Sequence, residues 1–375
     1  MLSGADAIRA GPLPVQDLSQ EVPTMAISLE KSRVTEYLKE RYKNQFLFDS
    51  LSAEYLKRDG RMTFLTDVPV PFTMEDLVDF KEGRGLSVAR MGENMVFVMG
   101  MDPQFPYKNQ YRQFLQICFD ARVKEAFLHD GGEALNKGDL YRAATLFRGV
   151  MVLAQEEEGT ALQDALFGYA TACTQIYEKL QEPENMAETD EESRAREERC
   201  GWFKGESIQL YEDLSFRYPD FAPAWYYLGY AYLNMGLYAK AFLTWKEFLT
   251  KADEAKQKDE IEEIKERMEQ LEGPMEIEKG CNAIIAGRTG EGIAILEKFK
   301  DSKYRTWWPL FFYLGTAYTE LGMAQEAIDS YKEVLKLAPS NKDAMVNLAE
   351  IYEAVAQDEL AEKYRRKAIL IDEIN

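Results

Sequence analysis

Histidine is almost missing: His129 is the single one among 375 residues. Cysteine is scarce as well. Cys118, Cys173, Cys200 and Cys281 lie far apart, and none belongs to a Cys-x-x-Cys pair. A zinc site of the usual Cys/His kind cannot be assembled from such spacing, so no metal or cofactor is expected. This usage suits a reducing compartment, and the expected location is cytoplasmic. Cys118, Cys173 and Cys281 sit in apolar helical surroundings and are expected as small core residues, whereas Cys200 follows a charged run and is expected exposed. No apolar run reaches the roughly 18 residues of a membrane-spanning helix. Basic residues are outnumbered, 45 against 65 acidic, which leaves a formal net charge of -20. That balance disfavours nucleic acid, whose binding needs a basic face, and docking on anionic lipid. Catalytic signatures are missing too. There is no Gly-x-Ser-x-Gly elbow. Gly287-Arg-Thr-Gly290-Glu-Gly292 lacks the Gly-Lys-Ser/Thr of a phosphate loop and follows a helical pattern, so it reads as a helix–helix turn. His129, on a predicted helix, reads as a surface or structural histidine rather than a lone acid/base.

What is present is ordinary for a folded chain: 46% hydrophobic and 29% charged residues. Residues 1–24 are rich in Pro, Gly and Ser and are expected to be a disordered tail. They lack the basic start and apolar centre of a secretory signal, and Met25 opens the first helix-prone run. Residues 25–60 carry apolar side chains at mixed threes and fours and predict a helix. In residues 61–72 Pro69 and Pro71 exclude a helix and a central strand, which predicts an extended connector with an edge strand at 62–65. Thr73-Met-Glu-Asp76 matches a capping box for a short helix ending at Lys81. After Gly83 and Gly85 a further helix is predicted over 86–99. Residues 25–120 thus form a small, mainly helical N-terminal module.

From about residue 121 onward the period is helical throughout. The clearest stretch, residues 222–249, reads as two amphipathic helices joined at Met235-Gly236-Leu237. Trp225, Leu228 and Tyr232 share one helix face, Gly229 and Ala241 are small where two helices approach, and Gly236 stands where a left-handed backbone costs least. Farther on, Leu314 and Leu348, Tyr318 and Tyr352, and Ala327 and Ala361 are each 34 residues apart. These positions resemble the tetratricopeptide repeat, a helical hairpin of that period. The resemblance implies an all-α, right-handed superhelical array of about six hairpins over residues 121–375. Two regions are irregular. Residues 181–199, QEPENMAETDEESRAREER, form an acidic insertion expected as a solvated loop or a helix extension. Residues 251–307 begin with an expected continuation of the third hairpin's second helix through residue 272, on an Ile261, Ile264, Met268, Leu271 stripe ended by Gly273-Pro274. A degenerate hairpin follows over 277–299.

The same resemblance implies a non-catalytic scaffold or adapter whose concave side, lined by the first helix of each hairpin, binds a protein or peptide. The residues left over after packing are Tyr226, Tyr227, Tyr230 and Asn234, then Phe312, Tyr313, Thr316 and Glu320, then Val346, Asn347 and Glu350. Their aromatic density suits an apolar or extended peptide. Chaperone co-factors of this family clamp a terminal carboxylate with Lys, Arg and Asn, and the matching positions here are aromatic, neutral or acidic, which disfavours that ligand. The last helix, expected over 357–373, joins Lys363, Arg365, Arg366 and Lys367 to an apolar run at 368–371, an end expected to be covered by the N-terminal module, a partner or a second copy in a homodimer. Segments such as ENMVFVMGMDP resemble cytoplasmic repeat proteins of anaerobic bacteria. Two other functions fit the same residues: a peptide-responsive regulatory sensor, and an enzyme with its site between module and array.

Overall fold

The computed structural model describes residues 29, 32–57, 60–119, 122–154, 159–182 and 189–374. The tail expected over residues 1–24 lies outside them. Among the described residues the regular structure is helical apart from one two-stranded ribbon, and the helices pack as successive hairpins. The chain divides into two compact units between Ala224 and Trp225.

The earlier unit contains α1 (Arg33–Tyr42), β1 (Leu47–Ser50), α2 (Ala53–Leu56), β2 (Pro69–Phe72), α3 (Met74–Lys81), α4 (Val88–Met101), α5 (Lys108–Cys118), α6 (Val123–Asn136), α7 (Leu140–Ala154), α8 (Thr160–Gln181) and α9 (Asp190–Arg217). The helix expected across residues 25–60 is therefore interrupted. Residues 47–50 pair antiparallel with 69–72, Leu47 opposite Phe72 and Asp49 opposite Val70. Prolines lack an N–H, so β2 offers donors at Val70 and Phe72 alone. The edge strand expected at 62–65 is instead a 3-10 turn, Gly60–Leu65, which buries Leu65. The capping box is present: the Thr73 hydroxyl accepts from the Asp76 N–H, and the Asp76 carboxylate accepts from the Thr73 N–H.

Helix α4 is buried along most of its length against α7. The two backbones touch. A Cβ on Gly100 would stand 1.9 Å from the Thr145 carbonyl oxygen, and one on Gly149 would stand 2.5 Å from the Val96 carbonyl oxygen. Glycine at both crossing points is what lets these helices meet. The acidic insertion resolves in part: residues 190–199 form the start of α9, capped by Thr189, whose side chain accepts from the Glu192 N–H. Residues 183–188 are outside the described set. Cys173 is buried as expected, but Cys118 is half-buried because it ends α5. Cys200 is half-buried too, its Sγ 3.8 Å from the Tyr177 carbonyl.

The later unit runs from α10 (Ala222–Leu233, which crosses the division) through α11 (Tyr238–Lys251), α12 (Lys258–Gln270), α13 (Glu272–Ile285), α14 (Thr289–Leu296), α15 (Trp308–Glu320), α16 (Ala324–Leu337), α17 (Lys342–Ala354) and α18 (Asp358–Ile374). Three of its hairpins share one lock. A Cβ on Gly229 would lie 2.1 Å from the Trp245 indole nitrogen, one on Gly280 2.6 Å from Leu296, and one on Gly315 2.9 Å from Tyr331. Each large side chain stands sixteen residues after its glycine, on the second helix of the same hairpin. Gly131 and Phe147 repeat the arrangement in the earlier unit, at 2.8 Å. Seven residues after each of these glycines the chain turns through a left-handed glycine: Gly138, Gly236, Gly287 and Gly322, with φ of 76°, 73°, 75° and 71°. This backbone is open to glycine without steric cost.

The long continuation of the third hairpin is a correction. Helix α11 stops at Lys251, where Ala252 is extended with ψ of 136°. The Asp253 carboxylate accepts the Ala255 N–H and turns the chain. Helix α12 is a separate element, and Ile261 and Ile264 are its buried residues. Gly273-Pro274 does not end a helix. It lies in the first turn of α13, where the proline's missing N–H would have no helical partner anyway. The 287–292 turn is helix–helix, as the sequence indicates.

Candidate functional site

The sequence-predicted binding residues fall into two groups, both within the later unit. On α10, Tyr226, Tyr227 and Tyr230 form an edge-on aromatic cluster. Tyr226 lies 5.1 Å from both Tyr227 and Tyr230 between ring centroids. The rings rest on the second helix of the hairpin: Tyr226 on Phe248 at 5.3 Å, Tyr230 on Trp245 at 5.0 Å. The Trp245 indole N–H donates to the Tyr226 carbonyl at 3.1 Å. All three tyrosines are half-buried, and Asn234, one turn beyond, is exposed.

Both hydroxyls converge on a single carboxylate. Tyr226 Oη donates to Glu263 Oε2 at 2.9 Å, and Tyr230 Oη donates to Glu263 Oε1 at 2.6 Å. Arg267, one turn farther along α12, donates from Nε to Glu263 Oε1 at 3.1 Å and lies 5.0 Å from the Tyr230 ring centroid. The electrostatics follow. Burial, then the Glu263 contact, pushes Tyr226 up to about 12. Burial and the same carboxylate raise Tyr230 as well. For Glu263, burial opposes ionisation, but hydrogen bonds from Tyr230, Tyr226 and Arg267 outweigh it and hold the carboxyl below its ordinary value. Glu263 and Arg267 join this candidate cluster and were not singled out by the sequence. Their signal was the spacing of Glu and Arg by four, common to any charged helix.

The second group surrounds Tyr331. Phe312 packs on the Tyr331 ring at 5.5 Å and on Trp308 at 6.1 Å. Thr316 Oγ1 is hydrogen-bonded to Tyr331 Oη at 3.1 Å, and Asn347 donates to that hydroxyl at 2.9 Å. Thr316 also donates to the Phe312 carbonyl at 3.1 Å. Tyr313 is half-buried, and burial, with the Cys281 thiol nearby, pushes it up to about 12. Glu320 accepts from the Thr289 hydroxyl at 2.7 Å. Val346 and Glu350 are exposed. His129 is exposed on α6, with Asp130 as its acidic neighbour at 3.7 Å. Among the described residues no group of His, Cys, Asp and Glu is arranged to hold a metal ion. A shallow hollow of about 540 Å³ in the earlier unit, between Glu191, Arg194, Ala195 and Glu198, contains none of the predicted residues.

The earlier unit holds a different polar centre, fully enclosed. Arg148 on α7 has no exposed surface. Its Nε donates to the Gly100 carbonyl at 2.8 Å, and its Nη1 donates to Tyr169 Oη at 2.8 Å and to Glu206 Oε1 at 3.3 Å. Its Nη2 donates to Thr35 Oγ1. Tyr169 in turn donates to Glu206. One guanidinium thus ties α1, α4, α7, α8 and α9 together, and it satisfies a carbonyl in the last turn of α4 that lacks a helical partner. Burial works against the Arg148 charge, yet Tyr169 and Glu206 hold its pKa above the ordinary value.

Glycine-locked hairpins with a recurrent left-handed turn define a helical-repeat scaffold. The tetratricopeptide repeat family matches residues 223–255 and 308–341. The chain therefore carries tetratricopeptide repeats at these two places, and such repeats support a protein-interaction scaffold. No curated protein matches the sequence. Among solved structures, it is similar to MamA, at 18% identity over 48% of this chain and 94% of that one, with a TM-score of 0.29. MamA residues 41 to the end from Desulfovibrio magneticus RS-1 show 14% identity over 51% and 98%, with a TM-score of 0.30. YrrB, described as a TPR protein with an unusual peptide-binding site, shows 18% identity over 54% and 93%, with a TM-score of 0.27. Among the described residues no helix is long and apolar enough to cross a membrane.

Proposed function

We propose that the chain is a non-catalytic adapter that binds a protein or peptide segment through Tyr226, Tyr227, Tyr230, Asn234, Phe312, Tyr313 and Thr316. One observation carries this reading. In the two hairpins that carry these residues the core is closed by Gly229 against Trp245 and by Gly315 against Tyr331, so the aromatics beside them are not needed to fill it. Tyr226, Tyr227, Tyr230, Phe312 and Tyr313 remain half-exposed. Rings held edge-on against a rigid helix, with hydroxyls at their tips, supply contact area at low entropy cost. A catalytic cleft between α4 and α7 is disfavoured, because the two helices meet closely there, Val96 at Gly149 and Gly100 at Thr145, with Val96 fully buried. Affinity capture from the native cell tests the reading, with wild type beside the triple variant Tyr226→Ala/Tyr230→Ala/Phe312→Ala. Loss of partners from a variant with unchanged helicity supports it, and identical partner sets sink it.

A self-contact is a second reading, favoured by α18. Ile369 and Leu370 are 57% and 52% exposed there. They lie within two turns of Lys363, Arg366 and Lys367, all exposed. Light scattering on the eluting protein would show a dimer for wild type and a monomer for Ile369→Lys/Leu370→Lys. A wild type that stays monomeric at high concentration removes the reading.

A further inference from the structure

We propose that α12 is a built-in occupant of the tyrosine face of α10, and that the partner this face fits is a helical acidic segment presenting a glutamate where Glu263 now sits. The inference deepens the adapter reading and rests on it.

The two candidate groups differ in where their polar tips are satisfied. Gly229 and Gly315 are corresponding positions, each locked by the large residue sixteen later. Counted from them, Tyr226 corresponds to Phe312 and Tyr230 to Thr316. In α15 this pair is completed within the repeats: Phe312 packs on Tyr331, and Thr316 bonds to the Tyr331 hydroxyl. In α10 both hydroxyls reach outside the hairpin to one carboxylate of α12. Two phenolic donors of α10 converging on one carboxylate make a recognition geometry for an ionised acid, and Arg267 of α12 itself steadies that carboxylate from its own helix.

Helix α12 is also an addition to the repeat plan. It lies between the hairpin of α10 and α11 and that of α13 and α14, and neither lock involves it. Two of its thirteen residues, Ile261 and Ile264, are buried. The other eleven are half-exposed or exposed. The loop at 252–257 precedes it, and Leu271 alone separates it from α13. An amphipathic helix attached by a narrow apolar stripe and one anchored carboxylate has the form of a groove ligand. Its covalent tethering gives it a high effective concentration at the face, so a free competitor succeeds only where it matches the same pattern or α12 is loosened. That pattern is read from α12 itself: a glutamate, with isoleucine two residues before and one after, and arginine four after.

The test uses the full chain and a fluorescein-labelled peptide of residues 258–270, followed by anisotropy. Wild type, Glu263→Gln/Ile264→Ala, and that double variant with Tyr226→Phe/Tyr230→Phe added are compared. The loosened variant is expected to bind the peptide at least tenfold more tightly than wild type. Removing the two hydroxyls is expected to cost at least tenfold of that gain, and so is a peptide with glutamine in place of its Glu263 equivalent. Equal binding by wild type and the loosened variant overturns the proposal, as does binding indifferent to the hydroxyls. Where the double variant loses helicity by circular dichroism, Glu263→Gln alone takes its place and is held to the same outcomes. A peptide that fails while cellular capture still depends on the aromatics overturns the role of α12 and leaves the adapter reading standing. If capture is also indifferent to them, both fall.

Discussion

Replacing Arg148 by methionine should destabilise the earlier unit by about 3–5 kcal/mol, the usual cost of stranding one member of a buried ion pair. The structure shows why the upper range applies. Arg148 is fully buried and Glu206 is 7% exposed, so the carboxylate left behind keeps only the Tyr169 hydroxyl as its partner in the cluster. The Gly100 carbonyl would lose its donor as well, and an unsatisfied buried acceptor costs about 1–3 kcal/mol. Glu206→Leu alone should be similarly damaging, because it strands the guanidinium. The double variant Arg148→Met/Glu206→Leu should not show the sum. It removes both charges and leaves the Tyr169 hydroxyl and the Gly100 carbonyl unpaired, a cost of about 2–6 kcal/mol at most. The assay is amide hydrogen exchange of α7 by mass spectrometry, which reports this unit separately from the other. Each single change should quicken exchange roughly a hundred- to several-thousand-fold, since about 1.4 kcal/mol is a factor of ten. Additive effects would show that charge pairing contributes nothing to the cluster. A neutral Arg148→Met would refute the reasoning outright.

Three further outcomes are expected. Ala356 occupies the turn position held elsewhere by left-handed glycine and has φ of 60°. Ala356→Gly should relieve an αL cost of about 1–2 kcal/mol against an entropy cost of about 0.5–1 kcal/mol. The thermal midpoint should rise, and a fall would mean the turn is held by other contacts. Gly229→Ala drives a methyl into the Trp245 indole and should cost about 1–3 kcal/mol, measured by urea unfolding. A change in Trp245 emission should accompany it. Because the Glu263 carboxyl is held below its ordinary value, its contribution is complete above the unfolded carboxylate pKa. It is lost as pH falls through the depressed folded value. Acidification should therefore loosen α12, read as faster amide exchange across residues 258–270 after correction for the intrinsic rate. Glu263→Gln should flatten that dependence.

The repeat hairpins were legible because their code is local. Gly131, Gly229, Gly280 and Gly315 must be small, the residue sixteen later must be large, and the turn between must tolerate a positive φ. Periodicity shows such rules wherever they recur, and so the all-α array could be read from residues alone. Other features required partners distant in the chain. Residues 47–50 look helical until residues 69–72 offer them a strand to pair with. Arg148 looks like a polar intruder in an apolar helix until Thr35, Gly100, Tyr169 and Glu206 surround it. Glu263 is one acidic residue among 65 until folding places it between two tyrosines. Sequence alone determined which elements repeat and where they turn, since backbone sterics and apolar spacing act over a few residues. Which charges are desolvated and which hydroxyls they meet was decided by tertiary structure, because desolvation depends on everything packed around a group and not on its neighbours in the chain.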